Sequence, residues 1–199
     1  MIQTIVNYLK DNYLQLPFVD TLGGVITVLR QSLPVDGGKT KVNIFPAVLN
    51  EDKQECNNFS EYIAMIPDST KKGMIYFEAQ NVSITKSDYH NYKASCKVKL
   101  IFWCNLNKIN KAYINADIIM MKIMSAIPQR IANIGNYDSV NFNFLGNSKT
   151  ASLFSAYTYK EEERQYLMFP YDYFALDYEI TWNCNNKCFD EVIINPATC

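Results

Sequence analysis

Two long stretches of the chain, residues 93–104 and 174–184, alternate apolar and polar positions. Because successive side chains of a strand point to opposite faces, this period of two predicts two β-strands, each with an apolar face. The second face of the first strand also turns apolar, at Ile101 and Trp103. We therefore expect a helix or a neighbouring chain to cover the strand there.

Shorter apolar runs predict the remaining strands. They lie at residues 25–29, 42–45, 73–78 and 140–144. Residues 82–86 are predicted to pair with the third of these runs. Residues 2–14 repeat apolar side chains at helical spacing, which predicts an amphipathic N-terminal helix.

A second helix is predicted at residues 111–127, where Pro128 ends it. Its polar strip is narrow and consists of Lys111, Asn115 and Lys122. A helix with so little polar surface is expected to be buried on more than one side. Two interpretations stay open: a core helix between the sheet and the first helix, or a helix that partly docks a neighbouring subunit.

The order of these elements predicts an α+β fold. We expect a mostly antiparallel sheet, with the N-terminal helix and the second, central helix packed on one face. Residues 1–199 are predicted to form a single domain, with an inserted or extended segment around 145–172. Within it, residues 150–167 fit either a helix or a long excursion between strands.

Composition excludes several classes of protein. Apolar residues make up 48% of the chain, which is ample for a core, and the net charge of −1 gives no overall basic footprint for nucleic acid. No signal peptide and no membrane-spanning run is recognised, so we expect a cytosolic product when it is made. The six cysteines are expected to be mostly free thiols, since a chain of this length does not need disulfides.

Candidate chemistry is sparse. The single histidine, His90, lies in a polar turn-rich stretch, where a surface role is favoured over that of a catalytic base. Cys184 and Cys188 have the spacing of half a zinc site, but a second ligand pair is missing. Asp172, Asp177 and Glu179 fit a solvated or cross-strand-paired face better than a cation site. We therefore predict no enzyme, no cofactor and no metal.

Charge is distributed unevenly along the chain. Residues 71–111 hold eight lysines against two carboxylates, a net +6, and residues 151–199 hold three cations against eight carboxylates, a net −5. Within the chain, lysines and carboxylates of adjacent strands are expected to lie opposite each other: Lys97 and Lys99 across from Asp177 and Glu179. Between chains, oppositely charged flanks suit a head-to-tail ring. The two interpretations do not exclude each other.

The stretches IQTIVNYLKDNY, ASCKVKLIFWCN, NKAYINADIIMMKIMSAI and FALDYEITWNC make the sequence resemble phage tail-terminator and tail-completion proteins. The resemblance lies in the order of an N-terminal helix, a central antiparallel strand, a crossing helix and a late returning strand. It implies a homomeric ring, often six-fold, that caps the tail tube and joins it to the head connector.

Our first hypothesis is therefore a structural virion protein of the head–tail junction, assembled in the bacterial host cytoplasm and contacting DNA at most through a ring lumen. Its predicted interface residues are Lys93, Lys97, Lys99, Trp103, Glu161, Glu162, Glu163 and Arg164. The alternative is a regulatory or DNA-binding accessory module that uses the lysine-rich residues 71–111. An enzyme of unfamiliar type is a third hypothesis, which would need a deep pocket gathering His90 and several carboxylates.

Overall fold

A computed structural model describes residues 2–35, 39–49, 62–87, 91–109, 115–134, 137–158 and 167–185. The helices and strands in this part of the chain are α1 (Ile2–Leu14), β1 (Thr21–Val25), β2 (Thr27–Val35), β3 (Lys39–Leu49), β4 (Tyr62–Ala64), β5 (Gly73–Ala79), β6 (Ser83–Lys86), β7 (Asn91–Asn105), α2 (Ala116–Ser125), β8 (Arg130–Ile134), β9 (Tyr137–Ser148) and β10 (Tyr171–Asn185).

The larger sheet is built around two long central strands. Its order is β1, β5, β7, β10, β9 and β8, with β6 pairing beside β5 on the same edge of β7. β7 and β10 pair antiparallel along their whole length of 15 residues. The other neighbours are also antiparallel, except that β1 runs parallel to β5. The fold is therefore α+β with an antiparallel-rich sheet, and the two long strands predicted from alternation are confirmed.

The main core lies between one face of this sheet and the helices. α1 buries one stripe of side chains against the alternate apolar residues of β5, β7 and β10; the stripe consists of Ile5, Val6, Leu9 and Tyr13. Full burial of one such side chain contributes about 1.5–3 kcal/mol. A hydrogen bond also ties α1 to β1, because the Val25 N–H donates to Gln3 Oε1 at 3.2 Å.

α2 is shorter and more exposed than its sequence predicted. It begins after Asn115, whose side chain accepts a hydrogen bond from the Asp117 N–H at 2.8 Å and so caps the helix. Among the α2 residues whose side chains the structure describes, only Ile119 and Ile123, one turn apart, are buried in the main core, whereas Met121 is 61% exposed. The prediction of burial on more than one side is therefore wrong, because a single stripe of α2 faces the sheet.

A second, smaller core covers part of the opposite sheet face. Met74, Tyr76, Ile101, Trp103 and Ala175 supply the sheet side of this cluster. A three-stranded sheet of order β2, β3, β4 and the segment of residues 150–158 pack against it. We call this the second cluster.

Several predicted elements differ from the observed ones. Residues 25–29 fall in two strands instead of one, since β1 and β2 join different sheets at Ile26. The strand at residues 82–86 pairs with β7 and not with residues 73–78, because β5 and β6 follow one another along the same edge. Of the segment at 145–172, the first residues complete β9, and residues 151–154 form a single 3-10 turn.

Candidate interaction surfaces

Three of the predicted interface residues, Lys93, Lys97 and Lys99, lie on β7 and point away from the main core. The register places Lys97 opposite Glu179 and Lys99 opposite Asp177 on β10. This confirms the cross-strand arrangement predicted from the sequence. Such opposite-charge pairs contribute about 0.2–1 kcal/mol each.

These pairs belong to a polar half of the sheet that the small sheet does not cover. We call it the open face. It consists of Glu78 on β5, Lys93, Ser95, Lys97 and Lys99 on β7, Asn141 and Asn143 on β9, and Asp177, Glu179, Thr181 and Asn183 on β10. None of these residues is buried. The open face is therefore available to another molecule, and its polar character fits a protein surface or a charged partner.

A hydrogen bond marks the border between the open face and the second cluster. Tyr157 Oη donates to Glu78 Oε1 of the open face. The next residue, Thr158, exchanges hydrogen bonds with Ile44 of β3: its N–H donates to the Ile44 carbonyl at 2.8 Å, and its hydroxyl accepts from the Ile44 N–H. Residues 157 and 158 are thus held to both sheets.

Trp103 requires a correction. It is fully buried in the second cluster and stacks on Tyr171, with ring centroids 5.3 Å apart. The small sheet and residues 150–158 of the same chain provide the cover that the sequence led us to expect from a helix or a neighbour. Trp103 therefore offers no exposed surface to another chain.

Most of the other predicted site residues lie in parts of the chain that the structure does not describe. Glu161, Glu162, Glu163, Arg164, His90 and Cys188 lie outside the described residues. Cys184 lies near the end of β10, opposite Tyr92 of β7.

The buried cysteines of β7 are poor nucleophiles. Burial raises the pKa of Cys104 to about 12, and burial also raises the pKa of Cys96. The Cys96 thiol in addition donates a hydrogen bond to the Gln80 carbonyl at 3.1 Å. A nucleophilic cysteine needs a lowered pKa to supply thiolate at neutral pH, so both thiols act here as small core side chains.

The described part of the chain offers few clustered side chains that could bind a metal ion. Over those ranges, no three His, Cys, Asp or Glu side chains come together in a group able to hold a metal ion. Two shallow depressions lie on the open face, one of about 340 Å³ beside Glu78, Lys99 and Asp177 and one of about 440 Å³ beside Lys93 and Glu179. Both mix cationic and anionic side chains, which suits contact with a charged protein surface.

The surface that the sequence did not predict is a hairpin, formed by β2 and residues 39–45 of β3. We call it the arm. Its strands pair from Leu29 opposite Phe45 to Val35 opposite Lys39. β2 has no buried residue, and in β3 burial begins only at Pro46. The turn signal at residues 34–38 and the flanking apolar residues could have indicated a hairpin, but not that it lacks a cover.

Further apolar side chains are exposed elsewhere on the surface. Met168 and Phe169 are 69% and 85% exposed at the turn before β10, and Phe144 of β9 is 45% exposed beside Tyr178. None of the helices in the described ranges has the length and apolar character needed to cross a membrane.

Comparisons with models of protein families, with curated proteins and with solved structures gave no match for this chain.

Proposed function

We propose that the chain is a structural subunit of a phage virion, a ring-forming tail terminator at the head–tail junction. Its role is to present surfaces to other copies of itself, to the tail tube and to the head connector, without catalysing a reaction. In this proposal the protein is assembled in the bacterial host cytoplasm, and it contacts DNA at most through the lumen of the ring.

The observation that carries this proposal is the pairing of the late strand with the central strand. The resemblance to tail-terminator proteins implies an N-terminal helix, a central antiparallel sheet and a strand that returns to it late in the chain. β10 pairs with β7 over all 15 residues, and α1 packs on the sheet that they form. The order of elements from which the resemblance was drawn thus agrees with their arrangement in space.

The open face and the arm supply the second line of support. A ring subunit must keep surfaces free for its neighbours on both sides. The open face carries charged side chains of both signs, which suits an interface whose register is set by electrostatic complementarity. The arm carries exposed apolar side chains, which suits a contact driven by burial.

Size-exclusion chromatography with light scattering tests the proposal, with the chain alone and mixed with the tube protein encoded by the same genome. The expected result is a closed oligomer of one discrete mass in at least one of the two samples. The second sample is needed because some ring proteins assemble only on a template. A monomer at high concentration in both samples would contradict the proposal.

A second candidate function is DNA binding by an accessory module through the lysines of residues 71–111, a stretch that carries a net charge of +6. Lys71 and Lys108 lie close enough to Asp68 to contribute to the lowering of its pKa, after the hydrogen bonds from Thr70. Duplex DNA binding through these lysines would weaken steeply as salt rises. Absence of binding at low ionic strength would remove this candidate.

A further inference from the structure

The arm is exposed on both of its faces. Val28 and Val42 share a face with Ile44, which packs on the second cluster, whereas Val35 lies on the opposite face. The three valines are between 44% and 49% exposed. A two-stranded ribbon is marginally stable in water by itself, so apolar side chains on both faces indicate that another chain completes its burial.

We propose that the arm docks on a second copy of this chain, across the part of the open face formed by β9 and β10. This inference rests on the proposed function, because it names the surfaces through which neighbouring subunits of the ring join. Three properties of the two surfaces support this choice of occupant.

The first property is opposite charge. β2 and β3 carry Arg30, Lys39 and Lys41 and no carboxylate, a charge of +3. On the open face, β9 and β10 carry Asp177 and Glu179 and no lysine or arginine, a charge of −2; Asp172 lies on the opposite sheet face and pairs with Lys149 at 2.7 Å. Asp36 in the connection between β2 and β3 lowers the sum for the hairpin to +2, which leaves its sign unchanged. Two arms would repel one another, so the contact joins unlike surfaces, as head-to-tail ring closure requires.

The second property is size. The two strands of the hairpin contain 9 and 11 residues. A stable protein interface uses about 20–30 residues on each side and buries about 800 Å² per partner. Within the hairpin, residues 31–35 and 39–43 extend beyond the packing on the second cluster, so the free part of the arm supplies 10 residues, or about a third to a half of one side of such an interface.

The third property is continuity with the packing inside the chain. Ile44 and Val48 of β3 already pack on the second cluster, which lies on the same sheet face as the open face. Residues 31–35 and 39–43 extend beyond this contact. The small sheet thus covers one half of its own sheet face, and the far end of the arm is placed to cover the other half in the next copy.

Charge reversal tests the docking surfaces in the full-length oligomer. The arm variant is Lys39→Glu with Lys41→Glu, and the reciprocal variant is Asp177→Lys with Glu179→Lys. The matched control for the arm variant, Lys71→Glu with Lys122→Glu, makes the same change of −4 in net charge at exposed lysines outside both surfaces. Each of the first two variants is expected to weaken self-association at least about tenfold, since unlike pairs become like pairs. The control is expected to leave self-association within about twofold of the wild type.

Equal mixtures of the arm variant and the reciprocal variant separate charge complementarity from a simple loss of folding. The mixture is expected to recover association, because each altered arm then meets an altered β9–β10 surface. Hydrogen exchange on the wild-type protein supplies a measurement that needs no variant. Amides of residues 31–33, 35 and 39–43 are expected to exchange at least about tenfold more slowly in the oligomer than in the dilute monomer.

The outcomes distinguish this inference from the proposed function. A wild-type oligomer whose arm amides stay unprotected, or an arm variant that assembles like the control, would overturn the docking of the arm and leave the ring intact. If both variants are folded and associate more weakly, but their mixture does not recover association, β9 and β10 are not the surface on which the arm docks. A wild-type chain that never associates would overturn both proposals together.

Discussion

Among the glycines that the structure describes, Gly73 is the one where an added methyl group should disturb the fold most. It opens β5 beneath the chain that leaves α1, and the Asp20 N–H donates a hydrogen bond to its carbonyl at 2.9 Å. A Cβ at this position would lie under 3.0 Å from the Phe18 carbonyl oxygen, and 3.1 and 3.2 Å from Phe102 Cε2 and the Trp103 carbonyl oxygen. A methyl group at this position would therefore clash with three neighbouring atoms, two of which are backbone oxygens.

The cost of Gly73→Ala follows from what must move. An ordinary contact between a carbon and a carbonyl oxygen is about 3.3 Å, so the Phe18 backbone has to retreat. Phe18 is fully buried, with its ring 5.9 Å from that of Phe102, and its retreat disturbs this packing. Overpacking of this kind costs about 1–3 kcal/mol, and a rigid backbone on two sides places Gly73→Ala near 3 kcal/mol. For a chain of this size that lowers the midpoint of thermal unfolding by about 6–12 °C.

Urea unfolding followed by circular dichroism measures this cost, and Gly146→Ala is the matched control. A Cβ at Gly146 meets no atom within 4 Å, so the control should unfold within about 0.5 kcal/mol of the wild type. An unfolding free energy of Gly73→Ala equal to that of Gly146→Ala would refute the close approach of residue 18 to the start of β5.

Three further predictions concern the central strands. Leu100→Ala is expected to lower the unfolding free energy by about 2–5 kcal/mol, because the side chain is fully buried; a urea titration giving a loss below about 1 kcal/mol would contradict its place in the main core. A double-mutant cycle on Lys99 and Asp177 is expected to give a favourable coupling of about 0.2–1 kcal/mol from their opposed positions, and a coupling of zero or of the other sign would count against the register. The pKa of Cys104 is raised by burial from 9.0 to about 12, so the unfolded chain releases this proton first. The contribution of the buried thiol to stability is complete below about pH 9 and falls by up to about 1.4 kcal/mol per pH unit as pH rises toward 12. The free energy of unfolding, measured at a series of alkaline pH values, should therefore decline less steeply in Cys104→Ala than in the wild type. Equal declines in the two proteins would contradict the burial of the thiol.

The sequence predicted the centre of the fold because periodicity is strongest there. β7 and β10 alternate over many residues against one core, and this long pattern also predicted that Lys97 and Lys99 face Asp177 and Glu179, although the individual partners follow only from the register. α1 was equally clear, since its buried stripe repeats at helical spacing. In these elements one face is buried, and the spacing of apolar residues in the sequence indicates that face directly.

The periphery could not be predicted in the same way. β8 was missed because it is a strand of 5 residues that directly follows the turn at Pro128. The arm gave no clear alternation, since both faces of β2 are exposed and neither is marked as the buried side. The sequence also could not predict which residues cover Trp103. Residues 150–158 carry no periodic pattern and are placed by tertiary hydrogen bonds at Tyr157 and Thr158.

A reconstruction of the purified assembly by electron microscopy tests the central claim most directly, since it shows both the symmetry and the path of each arm. The account predicts a closed ring in which the hairpin of every subunit crosses β9 and β10 of the next subunit's large sheet. Particles joined in two-fold pairs through their helical faces, or rings whose hairpins project freely into solvent, would contradict it.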